Sequence, residues 1–143
     1  FSHNASKVVW PTQRTRDDAE LVACVERGGL VCVTAVPNTL SNAPDQDISS
    51  VLDHYDYLVN RLGVDHVGIG TDTLIGDHVG FHRQALYRGA TDRPFPAPYL
   101  NGLESPADGP NIIRGLIARG YDDAQIRKIA GQSAVDLIRR VVG

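Results

Sequence analysis

Ile48-Ser49-Ser50-Val51-Leu52-Asp53-His54-Tyr55-Asp56-Tyr57-Leu58-Val59-Asn60-Arg61-Leu62-Gly63-Val64-Asp65-His66-Val67-Gly68-Ile69-Gly70-Thr71-Asp72 is the stretch that decides the fold. Its first half is a helix by periodicity. Ile48, Val51, Leu52, Tyr55, Leu58, Val59 and Leu62 recur every three or four positions and make one apolar stripe. Gly63 stops it. The second half is a short apolar run, residues 64–70 followed by Thr71-Asp72, that reads as a buried strand. Glycines inside a strand signal close approach of another backbone.

The same alternation continues outward. Upstream, residues 17–27 read as a helix with acids in the first turn, where they favour the helix dipole, and Gly28-Gly29 ends it. Leu30-Val31-Cys32-Val33-Thr34-Ala35-Val36 follows, apolar and β-branched without alternation, so both its faces are expected to be covered, as in a parallel sheet. Downstream, residues 73–108 mix Gly, Pro, Asp and aromatics without period. A loop this long in a compact domain is functional or disordered, and Phe81, Tyr87, Phe95 and Tyr99 argue against simple disorder. The tail is helical. Ile112, Ile113, Leu116 and Ile117 form a stripe ended by Gly120, Asp122 with Gln125 suggests a capping box, and Ser133 is expected to cap a last helix with Val135, Leu137, Ile138 and Val141 inward. Strands separated by helices imply βαβ units and an α/β fold with a parallel sheet. Two architectures fit: an open doubly wound sheet, or part of a (β/α)8 barrel. Neither strand is followed by the Gly-rich dinucleotide fingerprint.

Composition narrows function by exclusion. The 143 residues carry a net charge of −3 and no polybasic stretch, so nothing marks a nucleic-acid or anionic-membrane partner. No apolar run reaches the roughly 18–20 residues needed to span a bilayer. Cys24 and Cys32 lack metal-site or redox spacing and are expected to be buried, reduced core residues, which suits a cytoplasmic location. Phe1 is taken to close a strand whose beginning is missing, so the absence of a leader says little about where the parent protein resides.

In parallel α/β folds the polar residues at strand C-termini face the site. Three positions qualify: His3, Pro37-Asn38 and Asp72. Imidazole is a good zinc ligand, and a carboxylate near an activated water can move a proton. Each residue also has an ordinary reading. A lone strand-end histidine is commonly a packed or hydrogen-bonded residue, a lone Asp a turn or helix cap, and Asn38 a turn partner of Pro37. His78 and His82 are four apart, but Gly76 and Gly80 weaken the helix that would make them a metal pair. His54 is assigned to the exposed or boundary face of its helix, and His66 to the end of its strand away from the site.

Several of these segments together resemble the second half of the membrane (renal) dipeptidases. They are Phe1-Ser2-His3 with Arg14 eleven residues on, Glu26-Arg27-Gly28-Gly29-Leu30-Val31, Leu52-Asp53-His54-Tyr55-Asp56-Tyr57-Leu58, Gly63 to Asp72, Gly102-Leu103-Glu104, Arg119-Gly120-Tyr121 and Ile126-Arg127-Lys128-Ile129. The resemblance covers nearly the whole chain apart from residues 73–100. It implies that residues 1–143 are the C-terminal part of a single (β/α)8 barrel related to the amidohydrolases, with two Zn2+ ions in the complete site. It implies that His3 is a metal ligand, that Arg14 grips the substrate's terminal carboxylate, and that Asp72 handles the proton reaching the leaving amine. Asn38, from its strand-end position, is expected to be a second substrate-binding residue. The expected activity is hydrolysis of dipeptides by a hydroxide bridging two zincs. The expected partner is the dipeptide, with homo-oligomerisation open.

The family's remaining ligands, a His-x-Asp, a bridging Glu and an earlier His, belong to a half outside this chain. The isolated polypeptide is therefore expected to be inactive. Family members usually continue Gly-Ser-Asp-Phe-Asp-Gly, whereas this chain reads Gly70-Thr71-Asp72-Thr73-Leu74-Ile75-Gly76 and lacks the second acid. That departure leaves room for a related metallohydrolase acting on another amide or ester. The reading from another class is a non-catalytic barrel piece used for binding or assembly.

Overall fold

The computed structural model describes residues 1–37, 39–41, 43, 46–73, 75 and 99–143. Helix α1 spans Asp18–Glu26, strand β1 Val31–Val33, helix α2 Ile48–Leu62 and strand β2 Val67–Ile69. Helices α3, Pro110–Ala118, α4, Asp123–Arg127, and α5, Ser133–Val142, complete the chain. The fold is α/β with parallel strands: β1 pairs with β2 in the register Val31–Val67, Cys32–Gly68, Val33–Ile69.

The strands are shorter than their apolar runs. Val64–His66 forms a 3-10 turn before β2. After Val33 the chain keeps single bonds to its neighbours without a continuous ladder: Thr34 N–H donates to Asn4 (2.9 Å) and Ala35 N–H to Thr71 (2.9 Å). Val31, Val33 and Val67 are fully buried, as expected for strands covered on both faces.

α2 has the bounds its periodicity predicts. Asp47 caps it by accepting the Ser49 N–H at 2.8 Å, an interaction worth about 1 kcal/mol. Gly63, at φ +86°, releases the chain in a conformation only glycine adopts freely. Val51, Leu52, Tyr55 and Leu58 are buried, and α3 packs so closely on α2 that a Cβ on Gly115 would lie 2.6 Å from a Leu52 methyl. Arg119, just past α3, fastens the pair with an ion pair to Asp53 at 2.8 Å and another to Asp56.

The tail departs from expectation at its end. Asp122 and Gln125 do form a capping box, with Ala124 and Gln125 N–H groups donating to Asp122 at 2.8 Å and Asp122 N–H to Gln125 at 3.0 Å. Ser133 is no cap. It has helical dihedrals and is buried, because a π-turn over Lys128–Gln132 carries the chain from α4 into α5. Nor are the apolar residues of α5 inward: Val135, Ile138 and Val141 are exposed and Leu137 is half-buried. Both cysteines are free thiols, and they are half-buried rather than fully enclosed. Among the described residues no helix is long and apolar enough to cross a membrane. His78, His82, Phe81, Tyr87 and Phe95 lie outside the described residues.

Candidate active site at the strand ends

The backbone brings three segments to one end of the sheet. Residues 1–4 run beside β1: Cys32 N–H donates to Phe1 (2.9 Å), Asn4 N–H donates to Cys32 (2.8 Å), and Asn4 bridges Val33 in parallel. On the other side of β1, Gly70 N–H donates to the Val33 carbonyl at 3.1 Å. Asn4 and Ile69 are thus both in register with Val33. His3, Thr34 and Asp72 consequently sit at the C-terminal ends of three parallel segments. His66 is at the opposite end, as expected, with Nδ1 3.1 Å from the Gly29 carbonyl.

A fourth segment returns to this end. Arg16 N–H donates to Ala5 (3.0 Å), and Lys7 N–H donates to Arg16 (2.9 Å), forming a parallel bridge between Ser6 and Arg16. The preceding turn is fixed by hydroxyls: Thr12 N–H donates to Thr15 Oγ1 at 2.9 Å, and that oxygen's proton goes to the Thr12 carbonyl at 3.0 Å. Thr15 is buried, which turns its neighbours Arg14 and Arg16 to the other side.

Between these segments lies a cleft of about 390 Å³, lined by Phe1, Ser2, His3, Asn4, Ala5, Gln13, Arg14, Arg16, Thr34, Val36 and Thr39. His3 is exposed, and its Nδ1 pairs with Ser2 Oγ at 2.9 Å, which leaves Nε2 for the cleft. Arg14 is exposed with its N–H on Thr12 Oγ1 at 3.2 Å. Asp72 is outside the residues lining the cleft, although it shares the strand-end side with His3. It is exposed, at φ +58°, a left-handed conformation uncommon for a residue with a side chain but tolerated by Asp. Asn38 lies outside the described residues.

Two residues near this cleft escape the sequence reading. His54 is fully buried, not exposed or at a boundary. Its Nδ1 accepts the Ser6 N–H at 3.1 Å and its Nε2 donates to the Leu40 carbonyl at 3.2 Å. It ties the segment that follows His3 and Ala5 to the segment that follows Thr39, and all three of these residues line the cleft. Burial lowers its pKa below the usual histidine value. Arg16 is the second residue. It lines the cleft beside Arg14, yet only Arg14 carries a role in the sequence reading.

The donors present bear directly on metal binding. Among the described residues no three His, Cys, Asp or Glu side chains converge. His3 offers a single imidazole, so these residues fit one ligand position and no more; a zinc site needs three or four.

A sequence model of the membrane dipeptidases, peptidase family M19, matches residues 1–86. This chain belongs to that family. Family similarity extends further along the chain in individual relatives. Dipeptidase ataJ of Aspergillus terreus is 29% identical over 143 residues, covering 99% of this chain and 30% of that protein. Dipeptidase 3 of Mus musculus is 27% identical over 141 residues, covering 99% of this chain and 24% of that protein. The chain therefore spans less than a third of the length of these curated relatives. The fold has the same neighbours. An amidohydrolase from Pseudomonas aeruginosa superposes with a TM-score of 0.82 at 27% identity, over 99% of this chain and 45% of that one. A metallo peptidase from Rhodobacter sphaeroides, solved with a phosphinate mimic of the dipeptide L-Ala-D-Ala, gives 0.75 at 25% identity, over 96% and 34%.

Proposed function

We propose that the protein carrying this chain is a zinc dipeptidase built on a (β/α)8 barrel, and that residues 1–143 supply one wall of its active site. The observation that carries the proposal is the convergence of His3 and Arg14 on one cleft at the strand-end side shared by Asp72. The Rhodobacter relative, solved with a dipeptide mimic, supports the substrate class.

Zinc, when bound, lowers the pKa of water and polarises the scissile carbonyl. His3 contributes one imidazole through Nε2, oriented by the Ser2 hydroxyl on Nδ1, a role outer hydrogen bonds commonly play for ligating histidines. Arg14 would hold the substrate's terminal carboxylate through its planar fork, which would orient the peptide within the cleft. Asp72 carries a proton toward the leaving amine, its main chain held in place by the bond from Ala35 N–H to Thr71.

The test is turnover of a dipeptide panel by the full-length protein loaded with zinc. Replacing His3 by Gln is expected to remove one metal equivalent per chain, read by elemental analysis, and to abolish hydrolysis with little change in thermal stability. Replacing Arg14 by Met is expected to lower kcat/KM roughly 10- to 100-fold, mostly through KM, since a charge-assisted pair to the ground-state carboxylate is lost. Full metal content without His3 would remove it from the ligand set. Turnover of another amide with no dipeptide hydrolysed would favour the second reading, a broader amidohydrolase, which the Pseudomonas neighbour supports.

A further inference from the structure

We propose that Arg16 forms a second anion subsite beside Arg14, which makes the cleft selective for peptides whose C-terminal residue carries an acidic side chain. The inference rests on the dipeptidase reading above and adds to it the identity of the preferred substrate.

Three observations carry it. First, Arg16 Nε is buried and has no hydrogen-bond partner; among the described residues no other buried side-chain nitrogen or oxygen is in that position. A buried donor without an acceptor is costly, and guanidinium has donors alone, which a carboxylate or carbonyl oxygen satisfies. Second, two arginines and no Asp or Glu are among the described residues of this chain that line the cleft. Positive charge in a concave, partly desolvated site attracts anions strongly. Third, the position of Arg16 is fixed. Its backbone is bonded on both sides to the segment after His3, and its guanidinium lies over the Phe1 ring, 5.7 Å from the centroid. Thr15 turns inward between the two arginines, so Arg14 and Arg16 face the cleft together at a spacing of two residues.

Glu20 leaves Arg16 Nε unpaired. It meets Arg16 Nη1 at 3.5 Å, both side chains being substantially exposed, and its other oxygen accepts the Asp17 N–H at 3.1 Å. Such an exposed pair contributes little and yields to a substrate carboxylate. With the terminal carboxylate on Arg14, the group within reach of Arg16 is the side chain of the same residue.

The experiment compares isosteric pairs that differ only in charge. The full-length protein is assayed with Ala-Glu against Ala-Gln and Ala-Asp against Ala-Asn. Binding of free glutamate and free glutamine, the corresponding products, is measured by calorimetry with and without zinc. The acid is expected to be favoured about tenfold or more in kcat/KM and in binding. The ratio is expected to fall to about one in Arg16→Met and to be partly retained in Arg16→Lys. Should Arg16→Met fail to fold, Arg16→Gln carries the same comparison. Equal binding of glutamate and glutamine by the wild-type protein overturns the inference, as does an unchanged ratio in the neutral variants. Absence of all dipeptide turnover would instead strike the dipeptidase reading, while the calorimetry still decides the role of Arg16.

Discussion

Alanine at position 70 is expected to be the most damaging alanine substitution among the described glycines, with a loss on the order of 3 kcal/mol or more. A Cβ on Gly70 would lie 2.0 Å from the Ser2 carbonyl oxygen, 3.0 Å from its carbon and 2.7 Å from Cys32 Cβ. Two of these three atoms are backbone, so no rotamer change relieves the overlap. The strand end must move away from residues 1–4, and His3 moves with them. A stability of typically 5–15 kcal/mol leaves little room for such a loss. The control is Gly120→Ala. Gly120 has φ +89° and open space around it, so alanine there meets only backbone strain, about 1 kcal/mol. Urea unfolding of both variants separates steric overlap from strain. A midpoint for the Gly70 variant no lower than that of the Gly120 variant would mean that the N-terminal segment does not pack on β2 in this way.

That close approach illustrates how much of the fold is legible in the chain. Glycines within the run ending at Gly70 signal backbone proximity, but nothing in the sequence says which backbone, because the partner lies some seventy positions away. α2 is read to the residue because an apolar stripe and a terminal glycine are local signals. The strands are read long, since an apolar run shows that residues are buried without showing where the ladder ends. Val64 is partly buried in a 3-10 turn, with its side chain packed on the core, and contributes to the same run. α5 is misread for a related reason: apolar spacing gives a face but not the element that covers it.

The site is legible to a similar degree. His3 and Asp72 are picked out by strand-end position and family resemblance, and Arg14 by resemblance alone; His3 and Arg14 line one cleft, while Asp72 stands on the same strand-end side outside its lining. Arg16 lies outside the segments that carry the family resemblance, although a two-residue spacing in an extended segment puts it on the same side as Arg14. His54 is missed although its own spacing carried the signal. It stands three residues after Val51 and four before Leu58, within the apolar stripe, and a histidine there is buried whether or not it binds anything.

His54 is the basis of the second large effect. Alanine in its place leaves the Ser6 N–H and the Leu40 carbonyl without partners and opens a cavity in a site that is fully buried. Together these losses amount to about 3 kcal/mol. Because Ser6 follows the segment of His3, and Leu40 follows Thr39, the two cleft walls also lose their common tie. The wild-type protein should show a matching dependence on pH. Desolvation holds the folded-state pKa of His54 below 6.5, its value in the unfolded chain. Above pH 6.5 neither state carries the proton and the contribution to stability is complete. As pH falls below 6.5 the unfolded chain binds a proton that the folded protein refuses, so stability declines, by up to about 1.4 kcal/mol per pH unit, until the lowered folded value is reached. Protonation in the folded state would also convert Nδ1 from acceptor to donor and set it against the Ser6 N–H. His54→Asn removes the titration while keeping an acceptor near the Nδ1 position. Urea midpoints of wild type and His54→Asn between pH 7.5 and 5 should therefore diverge on the alkaline side and converge on the acid side. Parallel curves across that interval would show that His54 does not titrate differently in the two states, and the buried neutral bridge between the cleft walls would have to be abandoned.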